Sequence, residues 1–206
     1  MAPASHPTPE AGFRPGGAAC LALWALLGVL SSCQAEPGLH RVHDVMAITR
    51  AFYGSPIVGR ALFWIGEGDI PNYGASLQGY YFPMDRLAVG IGVDRIEFCP
   101  EGENFGGWEI EARLRYYIAE VEDMAAFLDL NGGWLGAEEE MPEGGTKSNF
   151  TFSFGPGLEV LMGSGFSLLA GCEFHHWSNA RGTGERATDN PAQNEYFPWL
   201  GVGFKW

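Results

Sequence analysis

The chain is poor in positive charge, in cysteine and in long apolar runs, and each shortage excludes a class of protein. Only 12 lysine and arginine residues oppose 25 aspartate and glutamate residues, which gives a formal charge of −13. This balance excludes nucleic acid as a partner, because phosphate binding needs clustered basic side chains. The mean hydropathy is −0.05, and no apolar run beyond the N-terminal region is long enough for a transmembrane helix.

The four cysteines have no spacing that is typical of a metal site or of a disulfide framework. Cys20 and Cys33 fall in the N-terminal region, which leaves only Cys99 and Cys172 for the rest of the chain. We expect Cys99 in a loop and Cys172 within a strand, so a disulfide between them is not favoured. The sequence therefore predicts neither a bound metal nor another cofactor.

The N-terminal region predicts export from the cytoplasm. A short apolar run at 19–30, with Arg14 ahead of it, is too short to span a bilayer and is typical of a signal peptide. Two cleavage points compete. Leu30-Ser-Ser-Cys33 resembles a bacterial lipoprotein box, which would make Cys33 a lipidated first residue, whereas ordinary signal peptidase would cut after Ala35. We predict an export signal over 1–35 and a single domain over 36–206.

Side chains of the predicted domain alternate with a period of two, which indicates β-strands. The segment 108–118 is the clearest case: one face is apolar, and the other carries Glu109, Glu111, Arg113 and Arg115. A water-soluble sandwich would also alternate. Charged residues and glycines at strand centres instead favour a membrane barrel whose outside is apolar and whose lumen is polar.

Connection lengths alternate as well. Short turns near 82–86, 119–123 and 161–165 are separated by longer polar loops, as in outer-membrane barrels with short periplasmic turns. We predict an all-β fold, an eight-stranded antiparallel outer-membrane β-barrel of the Gram-negative type. The expected strands are 44–54, 73–82, 86–97, 107–118, 123–135, 148–161, 165–179 and 194–206, although 61–65 competes for the first position.

A histidine and a serine share the apolar face of the seventh predicted strand. His176 and Ser178 continue the alternating series Phe166, Leu168, Ala170, Cys172 and Phe174. With periplasmic termini this strand runs outward, so the pair would lie outside the barrel beside the lipopolysaccharide of the outer leaflet. A base and a hydroxyl on a lipid-facing surface suggest a nucleophile that acts on a lipid. The alternative is that they are two ordinary polar residues at a strand end.

The same residues carry a resemblance to a known family. His176-Trp-Ser-Asn179, followed by Asn190-Pro-Ala-Gln-Asn194 and a final strand, resembles the His-x-Ser-Asn and Asn-Pro-Gly motifs of lipid A 3-O-deacylases of the PagL type, which are acyloxyacyl hydrolases. The resemblance implies hydrolysis of the acyl ester at position 3 of lipid A without a metal. By motif, Ser178 would be the nucleophile, His176 its general base and Asn179 a donor to the oxyanion.

The residue that should orient the histidine departs from the family pattern. Motif spacing places Asn194 where known members carry glutamate, and parity puts it on the outward face with His176. Glu195 is the alternative acid, but it would point inward unless a bulge shifted the register by one residue. An asparagine can orient an imidazole by hydrogen bonding, yet it cannot stabilise imidazolium as a carboxylate does.

Two functions from different classes follow. The first is an outer-membrane serine esterase acting on lipid A, with lipopolysaccharide and the membrane as partners. The sequence itself is silent on the oligomeric state, and the resemblance leaves a homodimer open. The second, motivated by Asn194, is a catalytically inactive barrel with a structural or lipid-binding role. A lipidated Cys33 would make either one a surface lipoprotein. Of the other histidines, His175 is expected in the lumen, whereas His40 and His43 are expected to be solvent-exposed.

Overall fold

Eight strands close into an antiparallel barrel. The computed structural model describes residues 39–57, 59–61, 64–66, 69–141, 145–179 and 192–206. Its strands are β1 (Val45–Pro56), β2 (Gly59–Ala61), β3 (Trp64–Gly66), β4 (Asn72–Met84), β5 (Leu87–Phe98), β6 (Phe105–Val121), β7 (Met124–Met141), β8 (Thr146–Gly163), β9 (Phe166–Ser178) and β10 (Ala192–Lys205). The barrel order is β1-β10-β9-β8-β7-β6-β5-β4, and β2 and β3 form a separate two-stranded sheet.

The eight predicted strands are confirmed, with two differences in detail. The competing segment 61–65 contributes to the small β2–β3 sheet instead of the barrel wall. The strands β6, β7 and β8 have 17, 18 and 18 residues, well beyond the 9–11 residues or so that cross a bilayer. The predicted export signal and both of its cleavage points lie outside the described residues.

Three tight turns join the strands at the periplasmic end. Arg86, Glu122 and Ser164 have positive φ angles of 66°, 52° and 53°, which is the backbone conformation that short hairpin turns require. Gly163 and Gly165, with φ angles of 91° and 82°, flank Ser164 in the third turn. The turns fall where the sequence predicted short connections, so the opposite end of the barrel carries the longer loops.

The barrel has an apolar outside and a polar inside, the reverse of a water-soluble fold. Leu77, Ile91, Ile110 and Leu200 are between 64% and 70% exposed, and they lie on the outward face of four different strands. The charged residues that alternate with them point into the lumen and are buried; they include Arg50, Asp94, Glu111, Arg113, Asp129 and Glu173. A closed barrel with this polarity is an outer-membrane β-barrel.

Aromatic side chains mark both edges of the membrane band. The outer belt contains Tyr53, Tyr73, Trp108, Trp134 and Phe150, and the periplasmic belt contains Tyr81, Tyr116, Phe166, Phe204 and Trp206. Along β8, the ten residue steps from Phe150 to Val160 rise by about 33 Å, which at the usual strand tilt corresponds to a height of about 25 Å, the thickness of such a band. No helix among the described residues is long and apolar enough to cross a membrane.

A network of buried ion pairs fills the lumen. Glu173 accepts hydrogen bonds from Arg50 at 2.6 Å, Arg113 at 3.3 Å, Ser153 at 3.1 Å and Asn131 at 3.3 Å. Arg115 donates two hydrogen bonds to Asp129, at 2.7 and 2.8 Å. The prediction that the charged face of the segment 108–118 turns into a polar lumen is therefore confirmed, and its arginines are paired there. Arg50 of β1 and Arg113 of β6 come from strands that are not neighbours of β9, so their bonds to Glu173 tie separate parts of the barrel wall together through the lumen.

Residues 39–44 close the periplasmic end of the lumen. His40 stacks on Tyr117 with ring centroids 3.9 Å apart, and its Nε2 lies 3.1 Å from a carboxylate oxygen of Glu159. The expectation that His40 is solvent-exposed is wrong, because the chain before β1 folds back into the barrel and leaves this side chain 1% exposed. His43 is exposed, as expected.

We expect Glu173→Ala to lower the free energy of unfolding by about 3–5 kcal/mol, because it leaves buried arginines without their shared carboxylate. Glu97→Ala is the control, since Glu97 forms a partly exposed pair with Arg95 and such pairs contribute less than about 1 kcal/mol. Urea unfolding in detergent micelles, followed by tryptophan fluorescence, measures both values. Equal losses for the two variants would contradict a central role for the lumen network.

Candidate functional site

The predicted catalytic residues lie at the outer end of β9, on the outward face. Within the antiparallel register, His176 is opposite Asn194 of β10, and Ser178 is opposite Phe150 of β8. Phe150 belongs to the outer aromatic belt, so Ser178 lies at the level of the outer membrane interface. The outward parity of His176 and Ser178 therefore agrees with the sequence pattern.

His176 and Asn194 are joined by a hydrogen bond. His176 Nδ1 lies 2.8 Å from Asn194 Oδ1, and both side chains are buried, at 8% and 0% exposed. An amide oxygen only accepts, so in this arrangement Nδ1 carries the hydrogen and Nε2 is left with its lone pair. The bond follows from the register, because directly opposed residues of an antiparallel pair point to the same side.

Ser178 and Asn179 complete the motif at the end of the strand. Ser178 shares the outward face with His176 two residues before it, which corresponds to a separation of about 6.6 Å along the strand. It is 7% exposed, and Asn179, the residue immediately after β9, is fully buried. The motif thus gathers a base, a hydroxyl and an amide in a covered position at the membrane interface.

Glu195 lies on the other side of the barrel wall. Its two carboxylate oxygens accept hydrogen bonds from Asn72 Nδ2 at 2.7 and 2.8 Å, and Gln193 Nε2 also donates to it. The pairing of β10 with β9 runs without a bulge from Ala192 to Phe204. Glu195 consequently points into the lumen and away from His176, and the shifted register that would make it the orienting acid is not formed.

Two apolar hollows lie on the membrane-facing exterior of the barrel, between His176 and the periplasmic end. The first has a volume of about 500 Å³ and is lined by Ala51, Tyr53, Ala170, Cys172, Pro198 and Leu200, among others. The second, of about 530 Å³, continues along the same strands past Thr49, Ala75, Leu168 and Val202. The small outward side chains in this recess are Ala51 of β1, Ala75 of β4 and Ala170 of β9.

His175 points into the lumen, opposite to its neighbour His176. Its Nε2 lies 3.3 Å from Glu109 Oε1, which confirms that it is a structural partner inside the barrel. Glu109, Glu111 and His175 together place three metal-ligand atoms within 4.8 Å of one another. No local sequence pattern indicates this cluster, because β6 contributes the two glutamates and β9, far along the chain, contributes the histidine.

Comparison with known proteins supports the fold. No family model matches the chain, and no curated protein matches it either. The crystal structure of Neisserial surface protein A matches with a TM-score of 0.57 and 14% identity over 79% of this chain and 96% of that one. The crystal structure of the outer-membrane enzyme PagL matches with a TM-score of 0.54 and 16% identity over 75% of this chain and 97% of that one. At these identities the likeness concerns the fold alone, that of an eight-stranded outer-membrane barrel.

Proposed function

We propose that this protein is an outer-membrane serine esterase that hydrolyses the acyl chain ester-linked at position 3 of lipid A. The observation that carries the proposal is the hydrogen bond between His176 and Asn194 on the outward face, with Ser178 beside it at the level of the outer interface. This polar pair lies on the outward side of the wall and takes no part in the lumen network, and its height in the barrel is that of the headgroups of the outer leaflet.

The reaction follows from the chemistry of these groups. Ser178 Oγ attacks the ester carbonyl while His176 Nε2 takes its proton, which turns a weak nucleophile into a strong one. An amide N–H of Asn179 donates to the oxyanion that forms. When the intermediate collapses, His176 returns the proton to the departing sugar hydroxyl, and water then releases the fatty acid from Ser178 by the same steps. Asn194 is a positioning residue, because it holds the ring through Nδ1.

The substrate would reach the site laterally within the membrane. Lipid A resides in the outer leaflet with its ester groups near the headgroups, which is the height of Ser178. The recess lined by Ala51, Ala170 and Pro198 would then receive the acyl chain. Because the chain is already in an apolar environment in the membrane, it binds to the protein only where a groove of complementary shape contacts it. The outward position of the nucleophile and the recess beneath it thus serve the same substrate.

An inactive barrel with a structural or lipid-binding role is the second candidate. The observation that favours it is the neutral amide of Asn194 at the position where a carboxylate would stabilise imidazolium. The two candidates differ in whether Ser178 is reactive. They predict the same fold and the same membrane, so only a chemical assay separates them.

Expression in a strain that makes lipopolysaccharide should yield lipid A that has lost one ester-linked acyl chain, as measured by mass spectrometry. Ser178→Ala should restore the unmodified lipid. The matched control is Ser55→Ala, which removes an outward-facing hydroxyl at the same end of β1, the strand on the far side of β10 from Ser178. Unmodified lipid A with the wild-type protein, or equal deacylation by Ser178→Ala, would contradict the proposal.

Asn194→Asp should raise kcat for acyl release at least tenfold, about 1.4 kcal/mol of transition-state stabilisation, because a carboxylate stabilises the imidazolium form of His176. Asn194→Leu should lower kcat by a similar factor or more. Initial rates in mixed micelles measure both. Glu195→Gln is the control, since Glu195 faces the lumen. A loss of activity in Glu195→Gln, with none in Asn194→Leu, would reverse the assignment.

Ala170→Trp should lower kcat/KM for long-chain substrates by at least tenfold, because the indole would fill the apolar recess. Short-chain esters should be hydrolysed at the wild-type rate, since they do not need it. Leu114→Trp, an outward substitution on β6 of the opposite wall, is the control and should change neither rate. If Ala170→Trp hydrolyses both classes of ester as the wild type does, the recess is not the acyl site.

A further inference from the structure

We propose that the lumen binds one divalent transition-metal ion through Glu109, Glu111 and His175. The side chains come from β6 and β9, which are not neighbours in the barrel, and they meet across its interior. All three are at least 98% buried. This site is separate from the outward-facing motif and does not depend on the esterase proposal.

The spacing of the ligand atoms fits a metal ion. His175 Nε2 and Glu109 Oε1 are 3.3 Å apart, and two atoms bound at about 2.1 Å to one ion are separated by about 3.0–3.4 Å at octahedral to tetrahedral angles. The ligand atoms of all three residues lie within 4.8 Å of one another. Small rotations of the two glutamate side chains would bring a carboxylate oxygen of Glu111 into contact with an ion that is bound by His175 and Glu109.

Unpartnered polar atoms surround this position. Among the described residues, Glu109 Oε2 and the hydroxyl of Thr151 are both buried and neither has a partner at good hydrogen-bonding geometry, although the Thr151 hydroxyl faces the Glu109 carboxylate. Thr151 is 6% exposed, lies on the lumen face of β8 and stands beside Glu109. Buried polar atoms without a partner are rare and costly in proteins. An ion bound to Glu109, with Thr151 or a water as a further ligand, would satisfy them.

The charge balance of the lumen points the same way. Buried carboxylates outnumber buried arginines: Asp94, Glu109, Glu111, Glu120, Asp129, Glu159, Glu173 and Glu195 stand against Arg50, Arg113 and Arg115. The arginines pair with Asp94, Glu111, Asp129 and Glu173. In the described ranges, Glu109 has no arginine partner and relies on His175. A divalent cation would supply the missing positive charge where the deficit lies.

The donor set identifies the class of metal. One imidazole and two carboxylates suit Zn²⁺, and also Mn²⁺ or Fe²⁺, whereas Ca²⁺ and Mg²⁺ prefer oxygen ligands alone. Bound there, the ion would link β6 to β9 beneath the outer mouth. His175 immediately precedes His176, so the link would also hold the end of the strand that carries the outward motif.

The test is zinc titration of the full-length barrel, folded in detergent and first dialysed against a chelator. We expect one zinc ion per chain by calorimetry and by elemental mass spectrometry, a higher unfolding temperature with zinc, and no effect of calcium. His175→Ala and Glu109→Gln should each weaken zinc binding at least tenfold. His43→Ala, which removes an exposed histidine at the periplasmic end, should bind zinc as the wild type does.

Heat-modifiable migration on gels shows whether each variant has folded. If His175→Ala or Glu109→Gln does not fold, X-ray absorption spectroscopy of the wild-type zinc complex identifies the ligand atoms instead. We expect one imidazole and no ligands other than nitrogen and oxygen. Folded wild type that binds no zinc, binding that is unchanged in both variants, or a sulfur ligand such as Cys99 would overturn the proposal.

Discussion

The burial of charge inside the barrel is the constraint on which the rest of the structure depends. Charged side chains at strand centres cannot face lipid, so they must turn inward, and inside they are stable only when paired. Glu173 meets Arg50 and Arg113 there, and Arg115 meets Asp129. With the inward face fixed in this way, every alternate residue must face the membrane, and the apolar exterior follows.

The same alternation places the outward motif. A shift of one residue in the register of β9 would turn His176 into the lumen. The same shift in β10 would turn Asn194 into the lumen and Glu195 out to the lipid. The lumen side prevents this, because Glu195 is bound by Asn72 and Gln193 and His175 by Glu109. The ion and amide contacts inside the barrel therefore set the register that holds a histidine, an amide and a serine at its outer surface.

Much of the fold was predictable, because a period of two is a strong signal when charged and apolar residues alternate over ten positions. The eight barrel strands, the inward turn of Glu109, Glu111, Arg113 and Arg115, and the outward parity of Asn194 all follow from that period. The same alternation assigned Asn194 to the outward face and Glu195 to the lumen. The assignment holds because β9 pairs with β10 without a bulge.

What could not be predicted depends on contacts between distant parts of the chain. His40 is buried because Tyr117, Phe82 and Glu159 meet at one end of the closed barrel, and no local pattern around residue 40 reports that. The small β2–β3 sheet lies in a loop, where alternation is too short to distinguish it from a wall strand. The cluster of Glu109, Glu111 and His175 likewise exists only once β6 and β9 face each other across the lumen.

The central claim is that the outward histidine activates the outward serine, and covalent labelling tests it most directly. A lipid-tailed fluorophosphonate is added to the folded barrel in membranes that contain lipopolysaccharide, and the modified peptide is identified by mass spectrometry. The account predicts that Ser178 alone is labelled and that His176→Ala abolishes the label. A barrel that is not labelled, or one in which Ser178 is labelled equally without His176, would contradict it.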